Sequence, residues 1–134
     1  MAIVYSKILL KNPRLPHLAV EVDALADTGS LYLCIPEHIR AKLQLDVIGE
    51  KELLLADCSV RKLPYAGPIE LRFKNRVAFT GAVVLGDEVL IGAIPMEDMD
   101  LVIVPRTRTL DVNPSSPGIG TTIAKSDAAL EVSQ

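Results

Sequence analysis

Asp27 stands where few chains tolerate an acid. The tetrapeptide Asp27-Thr28-Gly29-Ser30 follows an apolar stretch running from Leu18 to Ala26 and leads at once into Leu31-Tyr32-Leu33-Cys34-Ile35. Two apolar runs joined by a short polar, glycine-containing segment predict two buried strands and a tight turn. A carboxylate placed that close to a core is costly to desolvate unless hydrogen bonds hold it. Such a residue is either the cap of its own turn or an acid kept for chemistry.

The remainder of the chain repeats the strand signature. β-branched and leucine-rich runs recur at short spacing, punctuated by Pro, Gly, Asn and Asp. Strands are predicted over 2–10, 18–26, 31–35, 52–56, 60–63, 69–73, 77–85 and 89–91, with a final hairpin-like pair over 101–104 and 109–112. Asp57-Cys58-Ser59 interrupts two of these runs and suits a hairpin tip. Pro36 to Leu43 predicts a short helix, since Pro suits a first helical turn and Ile39 and Leu43 share a face. A second helix of one or two turns is predicted over Pro95 to Met99, and Glu97, Asp98 and Asp100 read as acids favoured by the dipole at its start. Asn113-Pro114-Ser115-Ser116-Pro117-Gly118 breaks the pattern, so a domain over 1–114 and an arm fading into a tail over 115–134 are expected. The fold class is all-β with two short helices.

Composition narrows the functions. A chain of 134 residues is long enough for one domain with a real core. A formal net charge of -3 disfavours nucleic acid and anionic membrane as partners, and aromatics at 4% leave few stacking platforms. No apolar run reaches membrane-spanning length, and the first residues lack the features of a secretory signal. Cys34 and Cys58 make no disulfide scaffold, and with His17 and His38 they have no metal-site spacing. The expectation is a cytoplasmic protein that needs no metal and no cofactor.

The order of signals resembles a known family. Asp27-Thr28-Gly29 follows a strand, the polar Asp57-Cys58-Ser59 hairpin comes later, and Leu90-Ile91-Gly92 leads into a short helix. This is similar to the retropepsin-like aspartic proteases, the single-domain relatives of pepsin. The run from Leu90 to Leu101 resembles prokaryotic members in particular. The resemblance implies a closed pepsin-like β-barrel acting as half of a twofold dimer. Peptide hydrolysis by this route uses two carboxylates facing one water and sharing one proton. One Asp-Thr-Gly in this chain therefore implies a homodimer, with Asp27 from each copy at the axis.

Roles for the neighbours follow from the same resemblance. Thr28 would bond across the axis to the partner's backbone. Gly29 would let backbone approach the carboxylate, and Ser30 would donate to the outer carboxylate oxygen. Asp57, Cys58 and Ser59 would form a flap over a peptide or protein substrate, with Leu33, Val60 and Ile91 lining apolar pockets. Leu90 and Gly92 would pack beneath the catalytic turn. Family members commonly carry Gly where Cys58 stands, and Gly supplies the φ > 0 freedom of a hairpin tip. Cys58 therefore either alters the tip or makes it redox-sensitive. The function implied is aspartic endopeptidase. A retropepsin-fold module for dimerisation or peptide binding, without catalysis, is the alternative.

Overall fold

The computed structural model describes residues 3–124, so Ala2 and the last ten positions of the expected tail lie outside the described residues. Among the described residues, nine strands and two short helices follow one another. Strand β1 (Val4–Asn12) buries Val4, Ile8 and Leu10 and exposes Tyr5 and Lys7, as a half-buried strand of period two should. It turns into β2 (Leu15–Ala26) and pairs with it antiparallel. β2 begins three residues earlier than its apolar run predicts. A register shift at Lys11/Asn12 admits Pro16, which lacks an N–H for a regular ladder. Asn12 is 4% exposed and holds this corner: its Oδ1 accepts from the Arg14 N–H, and its Nδ2 donates to the Leu43 carbonyl at 2.8 Å.

The run 31–35 is strand only at β3 (Cys34–Ile35). Helix α1 (Glu37–Lys42) follows, with Pro36 before its first turn and Ile39 on its buried side. Strands β4 (Asp46–Leu54) and β5 (Val60–Phe73) form a long hairpin. The two short strands predicted around 60–63 and 69–73 are thus one strand. Pro64 lies where β5 pairs with β4 but has not yet met its second neighbour, and Gly67-Pro68 fall at a register shift. Each proline therefore sits where a missing N–H is tolerated.

Strands β6 (Arg76–Val84) and β7 (Val89–Ile91) complete a seven-stranded sheet in the order β1-β2-β7-β3-β6-β5-β4. β1 also pairs with β5 through Leu9–Arg72, Leu10–Leu71 and Lys11–Glu70. The pairings β1-β2-β7-β3-β6-β5-β1 thus return on themselves as a ring, leaving β4 outside it. Leu10, Ile35, Leu43, Ile69, Leu71 and Ile91 meet in the core with no exposed surface. No helix among the described residues is long and apolar enough to cross a membrane.

Helix α2 (Ala93–Asp98) begins two residues before the predicted start, so Glu97 and Asp98 occupy its last turn, where the dipole disfavours acids. The dipole expectation is corrected accordingly. Asp100 lies past the helix with φ 54 and has another task. Its carboxylate accepts from Asn113 Nδ2 at 3.0 Å, from the Thr121 N–H at 3.0 Å and from the Ser116 hydroxyl. The Arg76 guanidinium donates to the Ser116 carbonyl, and Asn75 Nδ2 to the Pro117 carbonyl at 2.8 Å. Residues 113–121 are thereby fastened beyond the β8 (Leu101–Val104) and β9 (Thr109–Val112) hairpin.

These bonds, the Ser116 hydroxyl foremost, hold the Asp100 carboxyl at about 2, below its ordinary 3.8. A depressed carboxylate contributes stability above the unfolded-state value and loses it as pH falls through the folded value. Asp100→Asn is therefore expected to be less stable than wild type at pH 7 and to show a shallower stability loss between about pH 4 and about pH 2. Urea unfolding across that range measures both; equal slopes for the two proteins would contradict the assignment.

Candidate active site

The Asp27 turn hangs at the end of β2, and its position is set by β7. The two strands run parallel, pairing Leu25 with Leu90 and Ala26 with Ile91. The Asp27 N–H donates to the Ile91 carbonyl at 3.0 Å and closes that ladder. Beyond the turn, the Ala93 N–H donates to the Ser30 carbonyl at 2.8 Å and the Ile94 N–H to the Leu31 carbonyl at 2.9 Å. Leu90-Ile91-Gly92 and the start of α2 thus grip the turn from both ends.

Gly92 makes the grip possible. A Cβ on it would lie 2.5 Å from the Tyr32 carbonyl oxygen and 2.7 Å from that of Leu31. Those atoms are backbone and cannot swing aside.

Inside the turn, both carboxylate oxygens have donors. Oδ1 accepts from the Gly29 N–H at 2.9 Å, and Oδ2 accepts from Ser30 Oγ at 3.4 Å. The Ser30 N–H donates to the Asp27 carbonyl at 3.2 Å. A Cβ on Gly29 would stand 3.1 Å from Asp27 Oδ1, so glycine leaves that oxygen room. The Asx-turn reading and the reactive-acid reading are therefore compatible. Oδ1 is committed to the turn, whereas the long bond at Oδ2 leaves that oxygen free to accept further. Asp27 is half-buried, and Thr28 and Gly29 are exposed.

Asp27, Gly29 and Ser30 line a cavity of about 710 Å³. Leu31, Tyr32, Cys34 and Leu90 line it with them, β4 and the hairpin tip contribute Glu52 to Ala56, and the turn between β6 and β7 contributes Leu85 to Glu88. Most of this surface is apolar, as ligand clefts are.

Several expected pocket residues stand elsewhere. Leu33 and Ile91 are 1% and 0% exposed and point into the core, because the Asp27 turn places their neighbours Tyr32 and Leu90 on the cavity side instead. Val60 is exposed on the hairpin but does not line the cavity, whose wall comes from the incoming strand. Leu31, Tyr32, Cys34, Glu52 to Ala56 and the 85–88 turn are the lining residues that sequence reasoning missed. Leu31 carried a signal, a large apolar residue directly after a polar turn. The rest depend on how the hairpin folds over the sheet.

Asp57, Cys58 and Ser59 do form the tip of the β4–β5 hairpin, beyond the cavity lining. The Asp57 carboxylate accepts from the Ser59 hydroxyl and from its N–H at 3.0 Å, and those bonds hold the Asp57 carboxyl below its usual range. Cys58 is exposed with φ 66, so it takes the left-handed conformation that glycine would supply. Cys34 is buried, and burial pushes its thiol up. Among the described residues, no group of three or more His, Cys, Asp and Glu side chains is disposed to hold a metal ion.

No family model matches the sequence, and no curated protein matches it. In three dimensions the chain is similar to the crystal structure of the retroviral protease-like domain of Ddi1 from Leishmania major. The TM-score is 0.56 at 12% identity, over 95% of this chain and 98% of that one. The fold is therefore retropepsin-like.

Gly92→Ala is expected to cost about 1–3 kcal/mol, the range of overpacking a tight site. Denaturant unfolding measures it; a variant as stable as wild type would mean that the chain segments can part at no cost.

Proposed function

We propose that this chain is an aspartic endopeptidase of the prokaryotic retropepsin type, active as a homodimer. One observation carries the reading: the Asp27 carboxylate lies in a backbone-gripped turn on the floor of a cavity, on a retropepsin-like fold. A second copy brings its own Asp27 opposite the first across a twofold axis. The two carboxylates then hold one water and one proton between them. The ionised member takes a proton from the water, while the protonated member polarises the peptide carbonyl and then serves the departing amine. The pair titrates as a unit.

The assigned parts fit this scheme. Thr28, exposed beside the acid, bonds to the partner's backbone. The 1–114 region is the catalytic half-barrel, followed by an arm over residues 115–124. The Asp57-Cys58-Ser59 tip closes as a flap over a peptide laid as an added strand and excludes water. No cofactor or metal takes part. The free thiols Cys34 and Cys58 fit a reducing, cytoplasmic setting.

The test is hydrolysis of an unfolded protein at acid pH by wild type and by Asp27→Asn. Loss of at least about a hundredfold is expected, the scale of removing a general acid–base. The variant should keep the wild-type circular dichroism spectrum and sediment as a dimer. Retained hydrolysis in Asp27→Asn, or a wild type that sediments as a monomer while cleaving, overturns the proposal.

A further inference from the structure

The charge of the cavity lining identifies what it receives. Its walls are aliphatic, supplied by Leu31, Leu53, Leu54, Leu55, Leu85 and Leu90. Every charged side chain that lines it is a carboxylate: Asp27 on the floor, Glu52 on the hairpin, and Asp87 with Glu88 in the turn after β6. Among the described residues, no Lys, Arg or His lines it.

Glu52 stands directly across from Lys62 in the β4–β5 pairing, whereas Asp87 and Glu88 sit in the turn away from that hairpin. Among the described residues, ion pairs engage Glu21, Asp23, Glu37, Asp46, Glu70 and Asp111, but none engages Glu52, Asp87 or Glu88. Lys51, the basic residue of the hairpin strand beside Glu52, is held over the rings of Tyr65 and Tyr32, at 4.8 and 5.2 Å from their centroids. Glu88 is steadied by a neutral group, since the Tyr5 hydroxyl donates to its carboxylate at 3.2 Å. That bond, with the charges of Glu88 and Asp87, holds the Tyr5 hydroxyl above its ordinary value. The bond positions the negative charge at the rim without cancelling it. Apolar walls beside the charge of Asp87 and Glu88 strengthen the attraction for a cation that enters.

We infer that the cleft selects extended peptides in which a Lys or Arg side chain adjoins large aliphatic ones, with Asp87 and Glu88 receiving the cation and the leucine walls its neighbours. This specificity rests on the endopeptidase reading for its chemistry, and its binding component can be measured separately.

Three fluorescent decapeptides, leucine-rich and differing at one position as Lys, norleucine or Glu, serve as probes. Wild type is assayed for hydrolysis, and Asp27→Asn for binding by anisotropy at pH 6.5. The Lys peptide is expected to be favoured about tenfold over norleucine, with Glu the poorest. That ratio should fall toward one in the Asp87→Asn/Glu88→Gln double variant and on raising salt to about 1 M, where charges are screened within about 3 Å. The folded state of the double variant is checked by circular dichroism and by its urea unfolding midpoint. Hydrolysis of all three peptides at equal kcat/KM overturns the specificity and leaves the endopeptidase standing. Preferential binding of the Lys peptide without hydrolysis by wild type upholds the specificity and overturns the endopeptidase. Neither binding nor hydrolysis of any probe overturns both.

Discussion

The parallel pairing of β7 with the end of β2 is the constraint on which the rest depends. It brings Ile91 alongside Ala26 and lets the Ile91 carbonyl receive the Asp27 N–H. The chain then leaves through Gly92 against the backbone of Leu31 and Tyr32, closer than any side chain would allow. Two further bonds, from Ala93 to Ser30 and from Ile94 to Leu31, seal the far side of the turn. A loop held by its own hydrogen bonds alone would leave the carboxylate mobile. Here the acid is carried by two strands and a helix start, which fix its place in the fold.

The cavity is a consequence of that arrangement. Turning Leu33 and Ile91 inward to fill the core leaves Tyr32 and Leu90 to face outward, and they become lining residues. The hairpin of β4 and β5 supplies the opposite wall. β4 has a single neighbour, so the hairpin's outer half is the part of the sheet with least packing beneath it. An element with few buried contacts opens at low cost. The tip nevertheless has a defined shape, because Asp57 bonds to Ser59 on both its backbone and its hydroxyl, and Cys58 adopts a left-handed conformation.

Polar side chains tie the periphery to this framework. Asn12 joins the first hairpin to the end of α1. Asp100 collects donors from Asn113, Ser116 and Thr121 and so anchors the chain after β9. Each is a short polar group with little side-chain entropy to lose; Asn12 is satisfied by backbone partners and Asp100 by two side chains and one backbone N–H. Such groups order irregular segments that have too few apolar residues to pack by themselves.

Local chemistry made much of this legible from the residues alone. Strand periodicity, the Pro36 helix and the polar hairpin at Asp57 depend on neighbours in sequence, and these elements are present, though the strand expected from Glu52 begins at Asp46, the run 31–35 is strand only at Cys34–Ile35, and 60–63 and 69–73 form one strand. Asp27-Thr28-Gly29-Ser30 was readable as a turn for the same reason, since the Asp27 carboxylate bonds to residues two and three positions on. What lay beyond reach depends on partners far along the chain. Whether Pro64 and Pro68 break β5 was decided by which edges of that strand are paired, and whether Leu33 or Tyr32 faces the cavity by how β3 sits between β6 and β7. The task of Asp100 likewise needed a segment more than ten residues away. Sequence determined the alternation and the turns, because those are settled within a few bonds; tertiary structure alone decided which face became floor and which became core, because burial is a property of the whole packed chain.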